Sequence, residues 1–585
     1  MRKLYNKYAL SCTKLAVTGL LLTSLLPASL NATGSVDDLS YYETRGNWTL
    51  ADGYIEGSGV GSLLFLPQYF GPADFKVHLR LSLITSGREG TAASIQFSHG
   101  ASQALVGYRQ VPQMQVHHFG LDAEPGQLFV QGAIFDAARA RLIRPQAGLF
   151  EEGEPFDFVM VRNGDELSFF INEQLLYQAA VSGEIGQVGV RPHRATIRIH
   201  AVEIEAEPTA REIAMEAFHE RLQKLEGPLE HFLREPALDK QPLFEGPRFP
   251  NVAVALDGTV IATWGREGVR SRRSVDGGKT WEQDVPVGPG RHGGGLTVDE
   301  VSGDILVWTE DPNLENTRLF RSVDQGQSWQ QETSMIIYAL DRKASGVIPN
   351  VHMNESGITL RRGPHAGRLL RTTGNYMGGN IRGGPADAFA NAIYSDDGGI
   401  TWDTSAPFPA FGTNEAAVAE LTDGRILFIA RRHRATDGLD TQMKHFAWSY
   451  DSGESWRNLR VSPILPDGNT NRPYGLMHGL VRLPVEGRDI LIFSNIVSDT
   501  ARENGTIWAS FDGGETWPIK RLIEPGQFSY SSLAAGRPGT PSEGWIYLLY
   551  ESSGNGHIAR FNLSWLLQEG IATGDGLLPT WLVHP

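Results

Sequence analysis

Between about Leu39 and Glu207 apolar and polar residues alternate with a period of two, in runs such as FKVHLRLSLI, AASIQFS and ATIRIHAVEIEA. Turn dipeptides such as Asp52-Gly53 and Asn163-Gly164 separate these runs, so the pattern predicts an antiparallel β-sandwich over residues 33–208. The register then changes: Ala214, Phe218, Leu222 and Leu225 fall at helical spacing and predict a short helical linker over 209–240. From 241 to 585 the period of two returns as six apolar hairpins, beginning near Arg248, Arg291, Val351, Asn414, Tyr474 and Tyr530. Interleaved with them stand five copies of Ser-x-Asp-x-Gly-x-(Thr/Ser)-Trp, at Ser274–Trp281, Ser322–Trp329, Ser395–Trp402, Ser449–Trp456 and Ser510–Trp517. Tandem units 48 to 73 residues apart predict an all-β, six-bladed β-propeller behind the sandwich and the linker.

Each box has a mechanical reason: its Asp accepts turn amides, its Gly permits positive φ, and its Trp buries a large ring. The hairpins have a different consequence. In a propeller the innermost strands begin at one mouth of the central channel, so residues at the six hairpin entrances should converge there. Those entrances hold Arg248, His292, His352 with Glu355, Glu415, Tyr474 with His478, and Tyr530. A ring of polar and titratable side chains marks a candidate pocket.

Composition narrows the classes. Arg2, Lys3, Lys7 and Lys14 precede a short apolar run, Leu15 to Leu30, interrupted by Pro27, which predicts a cleaved secretory signal over 1–32 and a secreted or periplasmic product with no membrane span. The sole cysteine, Cys12, lies inside that segment, so the exported part would contain no disulfide. Loss of the four leader cations takes the formal charge from −15 to −19. So acidic a surface argues against nucleic acid as a partner. No ligand spacing for a metal and no phosphate loop stand out, and neither metal nor cofactor is expected.

The serine-aspartate repeats are Asp boxes, and six hairpins opening on Arg248-Phe249-Pro250 resemble the sialidase (neuraminidase) family over the C-terminal 340 or so residues. The N-terminal WTLADGYIEGSG followed by FKVHLRLSL resembles concanavalin-like jelly-roll domains. The sialidase resemblance implies an exo-acting, retaining glycoside hydrolase that releases terminal sialic acid, or a related 2-keto acid sugar, from glycoconjugates. It implies a carboxylate-binding triad of Arg248, Arg431 and Arg502, a nucleophile Tyr530, a catalytic Glu415, and Glu551 supporting Arg248. Where the family carries an aspartate as general acid, the loop here reads GREGVRSRR and holds only Glu267. Glu267, His292 or His352 could supply that proton, and His292 is favoured by its place at an inner-strand start before Gly293-Gly294-Gly295. Glu355, Tyr474 and His478 are further pocket candidates.

The residue types suit such a substrate independently of the family. Its carboxylate sits on the anomeric carbon, so the site must hold a fixed negative charge beside the bond that breaks. Planar guanidinium groups pair bidentately with a carboxylate and do not lose their proton. An attacking Asp or Glu would bring anion towards anion, whereas a tyrosine arrives neutral; sialidases with a Tyr nucleophile are an exception to the usual two-carboxylate scheme. Glu415 would take the phenolic proton, and the arginines would lower the phenol's pKa. Two alternatives remain open: a propeller that binds acidic glycans without catalysis, and a glycosidase for another anionic sugar.

Overall fold

A computed structural model describes residues 30–34, 36–39, 42–71, 73–84, 92–99, 114–121, 128–135, 140–142, 146–180, 185–192, 194–206, 210–246, 248–310, 317–332, 336–337, 354–376, 388–432, 442–469 and 474–583. The chain divides into two compact units, the first ending at Pro208 and the second holding Thr209–Pro585.

In the first unit fourteen strands, almost all antiparallel neighbours, hydrogen-bond into one connected network that includes the 18-residue strand Tyr54–Gly71. Alternation explains which face is buried. In Phe75–Ile84 the residues Phe75, Val77, Leu79 and Leu81 are buried, as are Phe156, Phe158 and Met160 of Phe156–Asn163. The intervening Lys76, His78 and Arg80 point the other way and pair with Glu205, Glu203 and Asp157. The leader expected over 1–32 lies mostly outside the described residues. Its last three residues fall within a strand, Leu30–Gly34, that pairs with Thr196–Ala206.

Among the described residues of the second unit, six sheets of four or five strands form blades whose first strands neighbour one another around a common axis, and a two-stranded sheet, Gly468–Asn469 with Tyr474–Gly475, stands beside them. The inner strands include Asn251–Val254 in blade 1, Ile358–Thr359 in blade 3, Thr413–Glu420 in blade 4, Gly479–Arg482 in blade 5 and Ser531–Ala535 in blade 6. Blade 2 has a divided inner edge, Arg291–His292 and Thr297–Val298. Blade 6 completes the ring with a strand from the start of the unit: Leu238–Phe244 pairs with Asn555–Phe561. Propeller structure therefore begins inside the stretch expected to be linker, three residues before position 241. The helix itself is Ala210–Arg221, and Phe218 and Leu225 pack with Val301 while Arg211 Nη1 reaches Asp299 at 2.9 Å.

The five boxes share one hydrogen-bond scheme. In the third, Ser395 Oγ donates to Asp397 Oδ1 at 2.7 Å, Gly399 N donates to Ser395 Oγ at 2.8 Å, and Thr401 Oγ1 donates to Asp397 Oδ2 at 2.6 Å. Gly399 has φ +95°, which an L side chain rarely adopts, and Trp402 is fully buried. All the box aspartates are consumed by their own turns, which leaves chemistry to the channel mouth.

Candidate active site

Blade 4 contributes two of the functional groups through a local irregularity. Between Thr413, opposite Arg432, and Ala416, opposite Ala430, the inner strand bulges, and Asn414 and Glu415 occupy the bulge. Bulges re-aim side chains next to active sites. Here Asn414 Oδ1 accepts the Glu415 amide at 2.7 Å and the Glu415 carboxylate meets Arg431 across the hairpin through a short ion pair, both side chains being buried.

Blade 6 brings the phenol to this pair. Tyr530 Oη donates to Glu415 Oε1 at 2.5 Å, and Arg431 Nη1 donates to the same Oη at 3.2 Å. The guanidinium of Arg248, from the approach to blade 1, lies 4.6 Å from the Tyr530 ring centre, and that of Arg502, from the approach to the third strand of blade 5, lies 5.6 Å away. Arginines distant in sequence therefore surround one tyrosine. Arg502 Nη1 also donates to Ser529 Oγ at 3.2 Å.

Glu551 holds Arg248 in place. Its Oε1 accepts from Arg248 Nε at 3.1 Å and from the Phe249 amide at 3.1 Å. Phe249 has φ +78°, an uncommon conformation for a bulky residue, and its ring sits 4.8 Å beneath the Arg248 guanidinium. Local strain at this residue is thus fixed by the same carboxylate that orients the arginine. Arg248 Nη2 is buried with no hydrogen-bond partner among the described residues.

The phenol differs from expectation. Burial, then the Glu415 carboxylate, push Tyr530 well above the ordinary tyrosine range, and the lowering by Arg431 and Arg248 does not offset them. The arginines act with the expected sign but lose to desolvation. The phenol is therefore neutral at ordinary pH, with the Glu415 carboxylate in place as an acceptor for its proton.

His292 does not fit the acid role. It is fully buried, its Nδ1 accepts the Gly294 amide at 2.8 Å and its Nε2 lies 2.6 Å from Thr263 Oγ1. Burial lowers its pKa to about 3, so it stays neutral at ordinary pH. Because the unfolded chain binds that proton more readily, His292 makes the fold less stable as pH falls from about 6.5 towards 3. Glu355 also lies away from the pocket surface: 1% exposed, it accepts from Ser532 Oγ and from the Ser356 amide, and burial pushes it up to about 8. His478 is fully buried, lowered by burial, and packed 5.1 Å from the Phe493 ring centre, so it is a core residue. Glu267 stands exposed in the turn between Val260–Trp264 and Gly268–Ser274, where Gly265 N donates to the Arg248 carbonyl at 3.0 Å. His352 and the side chain of Tyr474 lie outside the described residues.

One buried pair escaped the sequence reading. Lys444 Nζ lies 2.6 Å from Asp467 Oδ1, and Asp467 Oδ2 accepts the Arg432 amide at 2.8 Å, so the pair supports the strand that carries Arg431. Burial raises Asp467 to about 6 even with Lys444 beside it. A lysine two residues before the apolar run Phe446-Ala447-Trp448 was the available signal.

Comparison with known proteins adds the following. Residues 268–540 match a family model described as a BNR repeat-like domain. The chain is 31% identical over 361 residues to a sialidase of Micromonospora viridifaciens, covering 55% of this chain and 52% of that protein. It is 27% identical over 305 residues to a sialidase of Bacteroides fragilis, covering 48% and 53%. The chain thus spans about half the length of the curated relatives it matches. Among solved structures, the Hadza microbial sialidase Hz136 aligns with a TM-score of 0.42 and 18% identity over 85% of this chain and 94% of that one. Trypanosoma rangeli sialidase aligns with a TM-score of 0.40 and 16% identity over 57% and 60%.

Proposed function

We propose that the second unit, a six-bladed propeller whose residues 268–540 match a BNR repeat-like model, is that of an exo-acting sialidase that works through a tyrosyl-enzyme intermediate. The observation that carries this reading is the 2.5 Å hydrogen bond from Tyr530 Oη to Glu415 Oε1 within reach of three arginines. Arg248, Arg431 and Arg502 bind the substrate carboxylate, with Arg248 Nη2 as a donor available to it. Tyr530 Oη forms a bond to the anomeric carbon while its proton passes to Glu415 and the glycosidic C–O bond breaks, its electron pair leaving with the aglycone oxygen. Water then attacks the same carbon and gives its proton to the carboxylate that had protonated the aglycone, the bond to Tyr530 Oη breaks as Glu415 returns its proton to that oxygen, and two inversions give net retention. Charge supports this order of events, since three guanidinium groups face the carboxylates of Glu415 and Glu551 and a substrate anion supplies the third negative charge.

For the leaving oxygen we assign Glu267, the exposed carboxylate in the turn beside Arg248. Glu267→Gln is expected to lower turnover of natural sialosides by roughly 10²-fold while leaving an aryl glycoside with an acidic phenol within about threefold. Equal losses on both substrates would remove Glu267 from this role. No release of sialic acid from either by the unaltered protein would remove the function itself and favour glycan binding without turnover. The expected leader suits an enzyme that meets glycoconjugates outside the cytoplasm.

A further inference from the structure

The inner strands end at a second opening, where residues of all six blades line a cavity of about 160 Å³. Tyr530 and Glu415 stand at the beginnings of their strands, whereas Arg537 and Glu420 stand at the ends. Five to seven residues of extended chain, at about 3.3 Å each, place the cavity about 17–23 Å from the proposed chemistry. Its size is that of a cavity that holds one benzene-sized molecule.

Four arginines line it, Arg361, Arg362, Arg482 and Arg537, together with the carboxylates of Glu300 and Glu420. Two of the arginines are matched by carboxylates other than Glu300. Arg482 reaches Glu226 at 2.6 Å and Asp489 at 2.9 Å, and Arg362 reaches Glu226 at 2.6 Å and Glu420 at 3.4 Å. The other two share a single carboxylate. Glu300 takes Arg361 through Nε at 2.8 Å and Nη2 at 2.7 Å, and also takes Arg537 Nη1 at 2.6 Å. Arg537 Nε donates to the Val254 carbonyl at 2.8 Å. That leaves Arg361 Nη1 and Arg537 Nη2 without a described acceptor, and neither is among the buried unsatisfied atoms, so both remain accessible from the cavity. Burial, opposed by Glu300 but reinforced by Arg361, lowers the pKa of Arg537, whereas at Arg361 burial is outweighed by Glu300, Glu226 and Glu420, which raise its pKa. The remaining wall is apolar and includes Val254, Val298, Val418, Leu480, Val481 and Leu533.

We propose that this cavity is a second anion site, which takes a small organic carboxylate with its charged end on Arg361 and Arg537 and its apolar body on the valine and leucine wall. The anion accepts from Arg361 Nη1 and Arg537 Nη2, which have no described acceptor. The site is independent of the reaction assigned to Tyr530.

Calorimetric titration of the full chain with benzoate at low ionic strength tests it, using the unaltered protein, Arg537→Gln, and Val481→Phe, which narrows the wall and keeps every charge. The unaltered protein is expected to bind one more equivalent than Arg537→Gln, and Val481→Phe is expected to lose that equivalent or bind it at least tenfold more weakly. Equal stoichiometry and affinity in all three would overturn the proposal. If Arg537→Gln fails to fold, the comparison with Val481→Phe decides alone. A benzoate equivalent held by the arginines at the other mouth survives both substitutions, so failure of the sialidase reading would remove a different equivalent.

Discussion

Tyr530→Phe is expected to lower kcat by about 10³- to 10⁶-fold while leaving ligand affinity within a few-fold. Only the oxygen that forms the covalent bond is removed. The ring stays, and with it the contacts from Arg248 at 4.6 Å and Arg502 at 5.6 Å to its face, so the carboxylate site keeps its walls. Arg431 and Glu415 remain joined to each other, which keeps both buried charges compensated after the hydroxyl is lost. Steady-state kinetics with a sialoside, together with direct binding of free sialic acid, measure the two halves of this prediction. A propeller that only binds glycans would show no change in either.

Glu415→Gln is expected to have the next largest effect, lowering kcat by about 10²- to 10⁴-fold. Its origin differs from that of the Tyr530 substitution. Burial holds the phenol well above its ordinary pKa, so at neutral pH it is not ionised before attack and depends on a neighbour to accept the proton. An amide of the same shape can still accept the hydrogen bond from Tyr530 but cannot take the proton. The substitution also leaves the buried Arg431 without its carboxylate, and breaking such a pair costs about 3–5 kcal/mol. Thermal unfolding measured beside kcat separates the two consequences. Activity retained within about threefold in a folded variant would show that Glu415 is not the proton acceptor.

Much of the architecture could be read from the chain because propeller chemistry is local. An Asp box carries its turn, its positive-φ glycine and its buried tryptophan within eight residues, so five boxes and six hairpins were enough to count blades. Closure of the ring was not legible in the same way. Leu238–Phe244 pairs with a strand more than 300 residues later, and nothing within its own seven residues distinguishes it from the end of a linker. In the first unit the alternation identified the strands and their buried face, but not the order in which those strands pair.

At the site, residue type identified charge but not exposure. Arg248, Arg431, Tyr530 and Glu415 are brought together around one phenol, and Glu551 lies against Arg248. His292, Glu355 and His478 stand near inner-strand starts as expected, yet backbone amides, a serine hydroxyl or aromatic packing enclose them. Position along a strand states which mouth a residue is near. Whether its side chain faces the channel depends on neighbouring blades, and for His292 the decisive partners, Thr263 and Gly294, belong to two different blades. The raised phenol had the same cause: charges can be counted from sequence, but the desolvation that outweighs them is a property of the assembled mouth.

The covalent step is tested most directly by trapping. Incubation with a fluorinated sialic acid that forms the glycosyl-enzyme faster than it is hydrolysed, followed by proteolysis and peptide mass analysis, should place one sugar on the peptide that contains Tyr530, on the tyrosine oxygen. An adduct on any other residue, or inactivation of the enzyme with no adduct at all, would contradict the account.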